Sequence, residues 1–140
     1  MNKQEEKKIK KGIFKEFIDE YFKLLEFLKT YSNNDFTFKK FYAKNYLLKK
    51  VNIKLFIKGW YENITALYYS PIMSGNLDYF LKKDFNSDIN KNKSISSEFN
   101  MDYYINYFKD IYTTIQKDLF DKFINYIKQL TNLSYLYYKQ

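Results

Sequence analysis

An all-α fold, a compact bundle of about four to five helices with a long C-terminal helix, is what this sequence predicts. Three observations carry that expectation. Only three glycines and one proline punctuate 140 residues, so little interrupts long helices. Apolar residues recur at spacings of three and four over most of the chain, the period of a helix with one buried face. Nowhere does the alternation of a strand persist. A chain of 140 residues fits one domain, and a domain of that size buries roughly 70% of the surface its unfolded chain exposes. Hydrophobic content of 46%, with 22% aromatics, is enough to fill such a core.

The first helix is expected over residues 4–31, where Ile9, Ile13, Phe17, Tyr21, Leu24, Leu28 and Tyr31 trace a single apolar stripe. Ser32, Asn33, Asn34 and Asp35 then supply turn and N-cap chemistry. A second helical stretch covers residues 36–50, and Asn52 is a candidate cap for a third. In that third helix the stripe is Ile53, Ile57, Trp60, Ile64 and Leu67, while Lys54, Lys58 and Glu62 share another face. Whether the second and third stretches join is open from sequence. Ser70-Pro71 should interrupt the pattern, because proline disfavours the helical region for the residue before it. Gly75-Asn76 is a further stop, and residues 77–83 suggest a short helix or one turn.

Residues 84–99, DFNSDINKNKSISSEF, are polar and aperiodic and form the expected long loop. From Asn100 or Asp102 a last helix should reach about residue 137. Its stripe is Ile105, Phe108, Tyr112, Ile115, Leu119, Phe123, Ile127, Leu130 and Ser134. The first five follow a heptad rhythm, which suits bundle packing or a coiled coil.

Every one of the 24 basic residues is lysine, and the net charge is +8. Lys, Asn, Ile, Tyr and Phe together fill 82 of 140 positions, a set drawn from AT-rich codons. The missing arginine therefore reads first as genomic base composition. Position is more informative than number. Residues 1–60 carry 15 lysines against seven acids, and the remaining 80 carry nine of each. Between Phe36 and Tyr61 seven lysines meet no acid. If that stretch were one helix, Lys39, Lys40, Lys44, Lys50, Lys54 and Lys58 would lie within an arc of about 140°, leaving Lys49 outside. Such a stripe could follow phosphates, with Phe41, Tyr42, Tyr46 and Trp60 as stacking surfaces for unpaired bases. Lysine lacks arginine's planar fork, so any such binding would be tolerant of sequence and sensitive to salt. A solvated face is the plainer reading. A basic amphipathic helix could instead lie on an anionic membrane, but the apolar stripe from Ile53 to Leu67 is broad enough to be needed by the core.

Catalytic chemistry is thinly supplied. Without histidine or cysteine, Ser-His and Cys-His nucleophile systems are excluded, as are thiolate and imidazole metal sites. The three glycines are isolated, so no phosphate-cradling loop is present. Asp78, Asp84 and Asp88 lack the spacing of a calcium loop and suit turns and caps. Asp118 and Asp121 lie on an ordinary charged face, and Glu16, Asp19 and Glu20, adjacent on the first helix, could pair with Lys23 or contact lysines elsewhere. An enzyme is not expected, and no metal, cofactor or small-molecule substrate is indicated. The N-terminus, MNKQEEKKIKKG, has no apolar core of a secretory signal, and no run is long and apolar enough to span a membrane. An intracellular setting is expected.

The stretch WYENITALYYSPIMSGNLDYFLKKDF and the later FINYIKQLTNLS together resemble a family of small all-helical proteins from AT-rich nucleocytoplasmic large DNA viruses, the giant viruses. Pro71, Gly75, Tyr79, Phe80, Leu81, Asp84 and Phe85 match the central part of that pattern. Tyr126, Ile127, Leu130, Leu133 and Ser134 match its final helix. Phe123-Ile124 departs from the Ile-Trp of the pattern, and Pro71 stands directly before Ile72. The resemblance covers about half the chain and implies a viral accessory or virion-associated protein without a catalytic mechanism. Aromatic richness points the same way, since Tyr and Trp anchor protein interfaces. Trp60, Tyr61, Tyr68 and Tyr69 are the candidate contact residues, for a protein partner or for self-association through the last helix. Nucleic-acid binding through the lysines is the alternative.

Overall fold

The computed structural model of the chain describes residues 2–31, 36–75 and 117–139. They form α1 (Lys3–Tyr31), α2 (Phe36–Val51), α3 (Lys54–Trp60), a π-helical turn (Tyr61–Thr65), α4 (Ala66–Ser74) and α5 (Lys117–Lys139). No strand occurs among the described residues, and the all-α expectation holds. α3, the π turn and α4 follow one another without a gap and act as one kinked rod. The turn expected at 32–35, the short helix at 77–83, the loop at 84–99 and the start of the last helix near residue 100 lie outside the described residues.

α1 begins where Asn2 caps it. The Asn2 side chain accepts a hydrogen bond from the Glu5 N–H at 2.8 Å, satisfying one of the donors that a helix start leaves open. Glu5 and Glu6 in the first turn and Lys29 in the last complement the helix dipole. The predicted stripe is buried at Phe17, Tyr21, Leu24 and Leu28, and Ile18, Phe22, Leu25 and Phe27 widen it. Ile9 departs from it at 40% exposure. The register explains why. Phe14 lies against Tyr137 and Phe27 against Tyr126, so α1 and α5 run antiparallel. Ile9 therefore falls opposite the end of α5, where little apolar surface remains to cover it.

α2 and α3 are separate helices. The Asn52 N–H still bonds to the Leu48 carbonyl at 2.7 Å, and its own carbonyl takes the Leu55 N–H at 3.2 Å. Asn52 was expected to cap α3, yet the residue before α3 is Ile53 and no side chain caps that end. Asn52 contributes through its backbone instead. The break removes the premise of one continuous lysine stripe from Phe36 to Tyr61.

Proline 71 was expected to interrupt the helix. It sits inside α4, and the distortion appears upstream, at Tyr68, with φ −131° and ψ 17°. Pro71 has no N–H to offer the Leu67 carbonyl, and its ring presses on that oxygen. Rotation at Tyr68 φ turns the peptide carrying that carbonyl, so the helix kinks instead of ending. The π turn lies immediately before, where the Ala66 N–H reaches back to the Tyr61 carbonyl. The helix stops at Gly75, whose φ of +75° is a left-handed conformation that a side chain disfavours. That stop was legible in the sequence.

The core forms where these rods meet. Among the described elements, α1 and α5 share the most extensive contact, and Leu24, Leu25 and Leu28 of α1 join Phe123, Leu130 and Leu133 of α5 in one buried cluster. Trp60 is fully buried, in T-shaped contact with Phe17 and Tyr21 at ring-centroid distances of 6.3 and 6.4 Å. Phe56 packs on Tyr21 at 4.8 Å and Phe22 at 5.4 Å. The third-helix stripe is thus real at Ile57, Trp60 and Ile64 but fails at both ends, because Ile53 and Leu67 are exposed. Phe56, Tyr68 and Ile72 are buried instead: Phe56 lies against α1, and Tyr68 and Ile72 follow the π turn, which shifts the helical phase of the residues after it.

Candidate functional site

Small polar residues join the kinked rod to α5. Thr65 and Ser134 share a hydroxyl–hydroxyl hydrogen bond of 2.5 Å, and the Ser134 hydroxyl also lies 3.0 Å from the Thr131 carbonyl. Trp60 donates its indole N–H to the Thr131 hydroxyl at 3.2 Å. All three hydroxyl residues are buried. Short side chains let the two backbones approach, and each hydroxyl offsets its loss of water with a partner. Sequence assigned Ser134 to an apolar stripe; its role here is a bonded small residue.

Where this seam reaches the surface, tyrosines pair across it. Tyr61 faces Tyr138 with ring centroids 4.5 Å apart, and Tyr69 stacks on Tyr135 at 4.5 Å and 26°. Tyr137 meets Tyr138 edge-on at 5.0 Å, and the Lys10 ammonium sits 4.6 Å over the Tyr137 ring. Tyr61, Tyr69, Tyr135 and Tyr137 are half-buried, and Tyr138 is exposed. Leu67 and Met73, on the same rod, are exposed apolar residues. Partial burial of its hydroxyl, with Tyr137, Glu62 and Tyr61 nearby, pushes Tyr138 up to about 12, so it remains a neutral hydrogen-bonding group. Glu62 in the π turn has one carboxylate oxygen enclosed without a hydrogen-bond partner among the described residues.

The four proposed contact aromatics therefore divide. Trp60 and Tyr68 belong to the core at 0% and 4% exposure, which corrects their assignment as surface anchors. Tyr61 and Tyr69 lie in the tyrosine ladder. Tyr135 and Tyr138 complete it and were missed from sequence. The run Tyr135-Leu136-Tyr137-Tyr138 held the available signal, since residues three apart on a helix share a face.

The lysine segment looks different. Lys39, Lys40, Lys44, Lys50, Lys54 and Lys58 are all exposed, but the first four stand on α2 and the last two on α3. Their proposed aromatic companions point elsewhere. Phe41 and Trp60 are buried. Tyr42 and Tyr46 donate their hydroxyls to one oxygen of Glu26 on α1, the Tyr46 bond measuring 2.7 Å. Those two hydrogen bonds hold the Glu26 carboxyl below its ordinary value, with nearby Lys29 adding to the effect. Burial, followed by the Glu26 bond, pushes the Tyr46 hydroxyl up. In this clamp two phenol hydroxyls from α2 donate to a single carboxylate oxygen of α1.

This clamp borders an open groove of about 740 Å³, lined by Asp19, Phe22, Glu26, Thr30, Lys49 and Lys122 among others. Its charges are mixed, and the Lys49 and Lys122 ammonium groups lie over the Phe22 and Phe27 rings at 4.4 and 5.4 Å. Lys23 pairs with Glu20 at 3.3 Å, as the acidic cluster on α1 suggested. Among the described residues no group of acids is arranged to hold a metal ion. No described helix is long and apolar enough to cross a membrane. The aspartates at 78, 84 and 88 lie outside the described residues.

Comparison with known proteins returns no matching family model, no matching curated protein and no matching solved structure.

Proposed function

We propose that this chain is a non-enzymatic protein working through protein contacts, with the tyrosine ladder beside α4 and α5 as its contact surface. The observation that carries the reading is the ladder itself: Tyr61 on Tyr138 and Tyr69 on Tyr135, half-exposed and pre-packed, beside the exposed Leu67. Rings already fixed against each other lose little freedom on binding, which favours them as interface anchors. The resemblance carried by Pro71, Gly75, Leu130 and Ser134 supports a viral accessory or virion-associated setting inside the host cell.

A photoreactive side chain at Leu67, with a second chain labelled at exposed Lys8 as control, tests this in producing cells. A discrete cross-linked product from position 67 alone, with another protein or a second copy, is the expected result. Equal, diffuse labelling from both positions would remove the ladder as a contact surface.

A second reading is sequence-nonspecific nucleic-acid binding through the exposed lysines of α2 and α3. With Phe41 and Trp60 in the core, it rests on phosphate contacts alone. A single-stranded oligonucleotide titrated over a salt series separates it, because phosphate binding weakens steeply with salt.

A further inference from the structure

On α2, the inward face consists of Phe38, Phe41 and Asn45, all buried. The opposite face is not simply charged. Phe36, Leu47 and Val51 are 68%, 63% and 71% exposed, and at 100° per residue they fall, with Ala43, within an arc of about 80°. Lys39 and Lys50 border that arc on one side and Lys44 on the other. Lys40 rises within it, its ammonium 4.6 Å over the Phe36 ring. No acid lies between Phe36 and Tyr61 to offset them.

A phosphate backbone would satisfy the lysines but leave three large apolar side chains in water, two of them aliphatic and unable to stack on bases. An anionic lipid surface satisfies both classes of residue. Apolar side chains enter the boundary between headgroups and acyl chains, while lysines reach back to the phosphates on long stems. We infer that the outer face of α2 lies in the plane of an anionic bilayer surface, with Phe36, Leu47 and Val51 inserted and Lys39, Lys40, Lys44 and Lys50 on the headgroups. The face is separate from the tyrosine ladder, so the inference stands or falls independently of the proposed protein contacts.

Co-sedimentation of the full chain with vesicles of phosphatidylcholine alone, or mixed with phosphatidylserine, tests it. Binding to the mixed vesicles only is expected, weakened about thirtyfold by Lys40→Gln with Lys44→Gln. A variant carrying Phe36→Ser, Leu47→Ser and Val51→Ser should lose about tenfold or more while melting like the parent chain. Leu47→Trp supplies a second measurement, since Trp60 is already buried: its emission should shift to the blue when mixed vesicles are added. Absence of binding to mixed vesicles at low salt overturns the inference. So does binding that the triple serine variant leaves unchanged with no emission shift at position 47, because lysines alone then hold the surface. Lysine-dependent capture of a single-stranded oligonucleotide that mixed vesicles fail to displace overturns it in favour of nucleic acid.

Discussion

The seam between the kinked rod and α5 and the contact between α2 and α1 use similar residues to opposite ends. At the seam, Trp60, Thr65, Thr131 and Ser134 are buried, and their polar atoms are bonded to one another. At the α2 contact, the inner turn is comparable: Tyr21 donates to the Asn45 side chain at 2.5 Å, and the Asn45 amide donates to the Phe41 carbonyl at 2.8 Å. Beyond Asn45 the α2 contact opens to solvent, with Tyr42 and Tyr46 reaching the exposed Glu26. α2 keeps a narrow buried face and leaves large apolar residues outside; the seam closes on both its elements. Where apolar area is removed from water by two neighbours, a side chain serves stability. Where, among the described residues, α1 is the main neighbour, the far side of α2 stays exposed and is released for other uses.

Substitutions graded from the seam outward sharpen that contrast. Trp60→Ala should cost about 3–5 kcal/mol, measured by urea unfolding, because it empties the centre of an aromatic cluster and removes the donor to Thr131. A loss below about 1 kcal/mol would mean the seam is no better packed than the α2 contact. Asn45→Ala removes the acceptor that Asn45 offers to the buried Tyr21 hydroxyl, and should cost about 1–3 kcal/mol in the same assay. A near-neutral result would move Asn45 into the solvent-open part of the contact.

Glu26→Gln should cost less than about 1 kcal/mol near neutral pH, since the carboxylate is solvent-screened. Its pH dependence is more telling. A carboxyl held below its ordinary value of 4.5 contributes stability above that value and loses it as pH falls through the lowered one. The melting-temperature gap between parent and Glu26→Gln should therefore narrow on acidification from about pH 6 to about pH 3. A gap that stays constant would show that the clamp acts through shape alone. Smallest of all, Leu47→Ser should change stability by no more than about 0.5 kcal/mol, read by thermal melting. A larger loss would mean that α2's outer face is covered.

Much of the helical order was legible because it follows from local rules. The 3-4 spacing from Ile13 to Leu28 and the left-handed Gly75 need no knowledge of distant residues. Legibility failed where one apolar period served two incompatible neighbours. Leu67 and Tyr68 are both apolar at adjacent positions, and the π turn with the Pro71 kink sets the helical phase in which Tyr68 is buried and Leu67 exposed. Phe41, Tyr42 and Tyr46 sit among lysines in sequence, yet Phe41 goes inward and the two tyrosines go to a carboxylate 16 and 20 residues away. Glu26 carried no local mark of that role. Half of the tyrosine ladder was missed for the same reason: stacking pairs such as Tyr69 and Tyr135 are 66 positions apart.

Composition and spacing alone determined that the chain is helical, that its charge excess lies in the first 60 residues, and that histidine and cysteine chemistry is absent. These properties depend on residue identity and on neighbours within a few turns. Tertiary structure decided which aromatics become core and which become surface. It also decided that the lysine segment is two helices, and that α2 turns Phe36, Leu47 and Val51 away from the bundle. Burial is a property of two surfaces, and the second surface lies on an element far away in sequence.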